Sequence, residues 1–473
     1  MQIEKIIPYF VIALAMSLGY ACNNDDDAPP PVDPGSNEAA NRWISAVMNE
    51  VYFWLDDIRT PIADTSDPED YFESLLNRPT DRFSAIFPDY DELIGSLTGV
   101  TLEAGYEFTL FRAAPGSDDV IAEISYVKKM SPASSAGLVR GDIITQINGT
   151  TLTVDNFRDL LGQIDQPHTI TYRSFNETAD AYEDRGELSL TPVQLVENPN
   201  FLDTVYTIDN EKIGYVVYHY FNPGPAIGAT AYDDEMDEIF GSFRSAGINH
   251  LIIDFRYNGG GFVSSAINLA SLVAPGVTDQ NVFSKTRYND FLMQFEELQN
   301  VQNFFRTKAQ NLGNTLSGNR VYILTSERTA SASELIINGL RPYMDVFIIG
   351  DQTTGKNVGS IPFEDEDNPS NSYGILPIVT QSLNSLDESD YSEGFTPNII
   401  ALERTERLLP LGDVNELLLR TAIQQITGEA PSGRFEQLER LDIGSTLDRK
   451  INSGILIEDR ISKIIKEKNL MLH

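Results

Sequence analysis

"VYILTSERTASASELIINGL", residues 321–340, reads as an apolar strand, a short polar loop and an apolar helix in direct succession. The near-continuous apolar run at its start marks a strand buried on both faces. Ser331-x-x-Glu334 ahead of Leu335 and Ile336 has the spacing of a capping box at a helix start. The same alternation extends to both sides. "IGYVVYHYF" (213–221), "LIIDF" (251–255) and "VFIIG" (346–350) are further strands, "YDDEMDEIFGSFRSAG" (232–247) is an amphipathic helix ended by Gly247, and "VSSAINLASLVAP" (263–275) is another helix. Buried strands alternating with helices predict an α/β core, a mostly parallel sheet with helices on its faces. Ligands in such sheets bind at the carboxyl ends of the strands. "DFRYNGGGF" (254–262) and "TSERTASASE" (325–334) both fall at those ends.

Five hydroxyls crowd the second loop, and two roles compete for them. A serine or threonine that caps the helix contributes about 1 kcal/mol. A serine at the same point can instead be a nucleophile. The helix N-terminus leaves amides without partners and carries positive dipole, so the Ala332 N–H is a candidate oxyanion donor beside Ser331. A second donor is expected from the glycines of "YNGGGF", at Gly260, where the backbone can approach a ligand closely. A serine needs a base. The chain has four histidines. His168 lies in a β-rich block, His473 ends the chain, and His219 and His250 lie within or beside strands, where structural roles are commoner than catalytic ones. The remaining candidate is Lys356 in "GDQTTGKNVGS" (350–360), directly after a strand. Its ordinary pKa near 10.4 must fall by about 3 units, through burial, before it can accept a proton near neutrality.

Upstream, "NRWISAVMNEVYFWLDDI" (41–58) spaces Trp43, Ile44, Val47, Val51, Trp54 and Leu55 as a helix, and "PEDYFESLL" (68–76) predicts a second one. "GYEFTLFR" (105–112), "VIAEISYV" (120–127) and "GDIITQINGTTL" (141–152) alternate as strands, with Asn148–Gly149 as a tight hairpin turn, and "VDNFRDLLGQI" (154–164) as a helix.

The string "AGLVRGDIITQINGTTL" (136–152) is closely similar to the core of PDZ domains. With it in place, the chain resembles the C-terminal processing (tail-specific) serine peptidases. Members combine a cleaved signal, a helical N-terminal part, a PDZ domain and a crotonase-like α/β core with a Ser–Lys dyad. Their S-A-S-A-S-E motif reads "TASASE" here and G-K-G reads "TGKN", which maps the nucleophile to Ser331 and the base to Lys356. Their D-L-R-x-N-x-G-G motif reads "DFRYNGGG" and places an oxyanion donor at or near Gly260. Family members often carry glutamine four residues after the lysine to orient it. Ser360 stands there, so it is the candidate third member. The peptide-binding loop of the PDZ-like block maps to Gly105, Tyr106 and Phe108, where Glu107 would repel a substrate's terminal carboxylate.

With 34 basic and 70 acidic residues the net charge is −36, which argues against nucleic acid or anionic-lipid surfaces as partners. No metal, nucleotide or other cofactor is implied, and protein or peptide substrates are expected. At the start, Lys5 precedes an apolar stretch from Ile6 to Ala21, too short to span a bilayer and suited to a signal peptide. Cys22, the only cysteine, resembles a bacterial lipoprotein processing site. It predicts a lipid anchor in the cell envelope, periplasmic or at the outer-membrane surface. The division expected is a signal (1–21), a disordered tether (22–37), a helical domain (38–95), a PDZ-like domain (96–196), a peptidase core (197–425) and a charged tail (426–473). Two alternatives stay open: an inactive PDZ-type binding lipoprotein, and a His-based peptidase using His219 or His250.

Overall fold

The computed structural model describes residues 32–98, 100–226, 228–428, 438, 440–448 and 456–457. The expected signal, Cys22 and most of the expected tether lie outside the described residues.

Helix α1 (Asn37–Val51) starts where Ser36 Oγ accepts the Ala39 amide, and it buries Ile44, Val47, Met48 and Val51. Trp54 and Leu55, expected to continue it, lie beyond its end. Helix α2 (Pro68–Leu75) starts at Asp67, whose side chain caps Glu69 N, with Pro68 in the first turn. The two helices share an apolar cluster with Tyr288, Ile361 and Phe363 of the core, so this part packs onto the core.

An antiparallel sheet follows, built from β1 (Tyr106–Arg112), β2 (Val120–Val127), β3 (Ile143–Ile147), β4 (His168–Asn176) and β5 (Ala181–Leu190) in that spatial order. Its core holds Phe108, Leu110, Ala122, Ile124, Leu138, Ile144, Ile147 and Ile170. Asn148 and Gly149 both take positive φ (50° and 73°), the geometry of a two-residue hairpin turn, and Ile147 pairs with Thr150 across it. The predicted helix at 154–164 is shorter, Phe157–Leu161.

The core sheet has six strands in sequential order: β6 (Asn200–Ile208), β7 (Glu211–Tyr218), β8 (His250–Asp254), β9 (Arg320–Thr325), β10 (Asp345–Gly350) and β11 (Ile399–Ile400). Only the β6–β7 pair is antiparallel; the rest are parallel. Alternation along the strands assigns each side chain to a face. Val216, Leu251, Ile253, Val321, Ile323 and Ile348 meet helices α3 (Ala231–Ala246), α4 (Val263–Val273) and α5 (Ala332–Leu340). Tyr215, Val217, Ile252, Tyr322, Leu324 and Ile349 meet helix α6 (Leu417–Thr427) on the other face. Both faces are covered, which is why these strands read as unbroken apolar runs.

The PDZ-like sheet is tied to the core through buried ions. Arg256 is fully buried and pairs with Asp254 (2.7 Å), Glu416 (2.6 Å) and Glu403 (2.8 Å). Arg140, from the PDZ-like part, joins the same Glu403 and donates to Leu409 O at 2.7 Å.

Candidate active site

Strand β9 delivers its loop to the carboxyl end of the sheet, and the hydroxyls there separate by what they bind. Thr329 Oγ1 donates to Phe255 O at 2.9 Å, and Ser333 Oγ donates to Asn258 O at 3.1 Å. Both are spent stitching the helix start to the loop that follows β8. Ser331 Oγ is buried and makes no hydrogen bond. Ser331 therefore does not cap the helix with its own side chain. Its backbone lies at φ 58°, ψ −113°, a region that costs a non-glycine residue on the order of 1–3 kcal/mol and is held only by its surroundings.

Gly260 is one of those surroundings. A Cβ there would sit 2.6 Å from Ser331 Cβ and 3.1 Å from Ala332 N, and its φ is +117°. No other residue fits without displacing the serine. The Gly260 amide, expected to face an oxyanion, instead donates to Asn258 Oδ1 at 3.0 Å. This corrects the expectation in one respect: in this conformation the second donor is engaged by its own turn. Ala332 N lies at the helix start beside Ser331, where the sequence puts it.

Glu334 supplies the other surroundings, and it does more than the capping box predicts. Its Oε2 accepts Ser331 N at 2.9 Å and Lys356 N at 2.7 Å; its Oε1 accepts Gly355 N at 2.7 Å and Thr353 Oγ1 at 2.6 Å. One oxygen atom thus holds the backbones of the candidate nucleophile and the candidate base together. Burial raises this carboxyl above its ordinary range, while its hydrogen bonds oppose that shift.

Lys356 is buried with its Nζ over the Phe83 ring, 4.8 Å from the centroid. Burial lowers its ammonium from the ordinary 10.5 to about 8, against Asp81 and then Glu334, which raise it. Phe83 and Asp81 come from the N-terminal part, as does Arg82, which donates to Thr354 O (3.2 Å), Gly355 O (3.2 Å) and Ser392 O (3.0 Å). Sequence reasoning missed all three. The signal that could have found them, "TDRFSA" (80–85), is unremarkable in composition and lies far from the lysine along the chain.

Ser360 is buried on the short strand Val358–Ser360, and its Oγ makes no hydrogen bond. It does not hold Lys356 in the way expected of a third member. Neither histidine reaches the site. His250 starts β8, at the opposite end of the sheet, with Nε2 3.1 Å from Glu211 Oε2. His219 is stacked on Phe201 with Nδ1 3.2 Å from Glu197 Oε1. In the PDZ-like part, Tyr106 and Phe108 are buried, Tyr106 Oη lies 2.9 Å from His168 Nε2, and Gly105 O accepts Lys128 N at 2.9 Å. Glu107 is buried against Lys128 Nζ at 3.2 Å, so its charge is compensated rather than presented to a ligand.

Comparison with known proteins identifies the family and its modules. Residues 212–401 match the model of peptidase family S41, residues 39–85 its N-terminal domain and residues 123–174 a PDZ domain. The chain belongs to peptidase family S41. An S41 protease structure from Bacteroides fragilis superposes with a TM-score of 0.68 at 28% identity, covering 82% of this chain and 97% of that one. A chloroplastic C-terminal processing peptidase of Tetradesmus obliquus is 24% identical over 277 residues, 56% of this chain and 52% of its own length. Carboxyl-terminal-processing peptidase 2 of Arabidopsis thaliana is 24% identical over 310 residues, 64% of this chain and 53% of its own. The match thus spans about half the length of these curated relatives. In this S41 chain the N-terminal domain match ends at residue 85, so Asp81, Arg82 and Phe83 reach the lysine loop from a separately matched module.

Proposed function

We propose that this S41 chain is a serine endopeptidase in which Ser331 is the nucleophile and Lys356 the general base. The observation that carries the proposal is the Glu334 carboxylate, which accepts from the amides of both residues while leaving Ser331 Oγ unspent. Neutral Lys356 takes the Ser331 proton as Oγ attacks the scissile carbonyl. The resulting oxyanion accepts from Ala332 N–H. A second donor, at Gly260, becomes available when the substrate oxyanion displaces Asn258 Oδ1 from that amide. Each such donor is worth about 3 kcal/mol at the transition state. The Lys356 ammonium returns the proton to the leaving amine, and water, deprotonated by the same lysine, releases the acyl group.

The Phe83 ring suits this cycle. Its face favours the ammonium that forms as Ser331 attacks, while burial keeps the resting amine within reach of neutral pH. Unstructured or C-terminal segments are the substrate class that fits, because a strand-accepting PDZ-like sheet stands beside the cleft. The signal-like stretch Ile6–Ala21 ahead of Cys22 supports an extracytoplasmic, lipid-anchored location. The test is hydrolysis of an unstructured peptide: Ser331→Ala and Lys356→Ala each abolish it with the thermal transition retained. Cleavage that survives either change refutes the dyad.

A further inference from the structure

The outer edge of β1 carries a strand from the far end of the chain. Strand β12 (Asp442–Ser445) lies antiparallel on it, with Asp442 opposite Phe111, Gly444 opposite Leu110 and Ser445 opposite Thr109. Thr446 N donates to Phe108 O at 3.1 Å, Ser445 Oγ donates to the same oxygen at 2.6 Å, and Phe108 N donates to Thr446 Oγ1 at 3.0 Å. Ile443 packs on the apolar core of the PDZ-like sheet, and Leu447 is buried between Tyr126 of β2 and Tyr257 of the catalytic core. Two ionic anchors flank the strand. Arg328, in the loop that leads to Ser331, binds Asp442 (2.6 Å) and Asp448 (2.8 Å), and Arg440 binds Glu123 (2.8 Å). Further on, Leu456–Ile457 pairs in parallel with Gly261–Phe262, next to Gly260, and lies against Val358–Ser360. Two pieces of one C-terminal segment thus occupy the PDZ-like edge and the strands flanking the candidate dyad.

Strand addition to a sheet edge is a general mode of peptide capture, in which backbone bonds supply affinity and side-chain pockets supply selectivity. Here the added strand is internal: the chain continues past Thr446 to His473. Hydroxyls of Ser445 and Thr446 meet Phe108, where a terminal carboxylate would meet the loop before β1. We propose that the β1 edge is a docking site for an internal extended segment, and that residues 442–447 are its resident occupant in cis. A substrate must displace them to use that edge. Because the resident strand belongs to the same chain, its effective concentration is on the order of millimolar, so a peptide added at micromolar concentration loses the competition. Only the word substrate rests on the peptidase reading; the docking itself does not.

The test uses the full-length chain with Ser331→Ala, so that turnover plays no part. The probe is a fluorescent, C-terminally amidated peptide of residues 438–450, followed by anisotropy. Adding Thr446→Pro and Leu447→Ala to the chain removes one edge hydrogen bond and one buried anchor; binding is expected to tighten at least ~10-fold over the Ser331→Ala chain alone. A milder pair, Asp442→Ala with Asp448→Ala, breaks only the Arg328 contacts and shifts affinity in the same direction by several-fold. Equal affinity across all three chains, or no binding to any of them, overturns the proposal. The peptidase reading stands or falls separately, on hydrolysis by the chain that keeps Ser331.

Discussion

Lys356 Nζ lies 4.8 Å from the centroid of the Phe83 ring, a contact between the catalytic core and the N-terminal domain. The ring covers one side of the amine, and Asp81, two residues earlier, is the larger of the two carboxylate influences on it. The N-terminal domain therefore forms part of the environment of the candidate base.

That environment predicts the pH dependence. Lys356 must be neutral to act as the proposed base, so kcat/KM for an unstructured peptide should rise with pH through a midpoint of about 8. Phe83→Leu keeps the burial and removes the ring quadrupole. The ammonium is then less favoured, its pKa falls, and the midpoint should move about 0.5–1 unit toward acid. Asp81→Asn should move it in the same direction. A pH profile of each variant checks this, and loss of packing alone would lower activity without moving the midpoint.

The same lysine costs stability. Its folded pKa is depressed, so folding at pH 7 carries the penalty of burying an ammonium, and the penalty fades as pH rises from about 8 to 10.5. Lys356→Met should therefore raise unfolding stability at pH 7 by up to roughly 3 kcal/mol, with the gain lost above the unfolded pKa. Urea unfolding at pH 7 and at about pH 10.5 measures the difference, while peptide hydrolysis is abolished.

Glu334→Gln replaces four acceptor contacts with one carbonyl oxygen and an amide that cannot accept. Two or more of the donors at Ser331, Thr353, Gly355 and Lys356 lose their partner. Buried donors left unsatisfied cost about 1–3 kcal/mol each. Stability should fall by several kcal/mol. The loss of activity should appear mainly in kcat, because the backbones of the proposed nucleophile and base are no longer held by one atom.

Gly260→Ala brings a methyl group to 2.6 Å from Ser331 Cβ at a backbone φ of +117°. Strain and overpacking there cost about 1–3 kcal/mol. Displacing Ser331 by even a fraction of an ångström should lower kcat/KM on the order of 100-fold. Steady-state kinetics beside a thermal melt separates the two effects.

The sequence shows features that depend on neighbouring residues. The buried strands β8, β9 and β10 are continuous apolar runs because helices cover both faces of the sheet, and Asn148–Gly149 announces its hairpin because only such residues take positive φ at low cost. Ser331-x-x-Glu334 was equally legible, yet its meaning was not. Spacing alone cannot tell that Glu334 also binds Gly355 and Lys356 across the next strand, or that Thr329 and Ser333 are consumed by Phe255 O and Asn258 O. Phe83 and Asp81 approach Lys356 only through the docking of one module on another. Strand β12 was invisible for a related reason. Within "LDIGSTLD" (441–448) the paired residues "DIGS" hold one apolar side chain, Ile443, among an acid and small residues, and their strand state comes from the β1 edge they pair with.

The most direct measurement of the central claim is the rate and site of covalent labelling by a fluorophosphonate, read by intact-protein and peptide mass spectrometry. The Ser–Lys assignment predicts a single adduct on Ser331, none in Ser331→Ala, and a labelling rate at least ~100-fold lower in folded Lys356→Ala. An adduct on another residue, or labelling of Ser331 at an unchanged rate without Lys356, would contradict it.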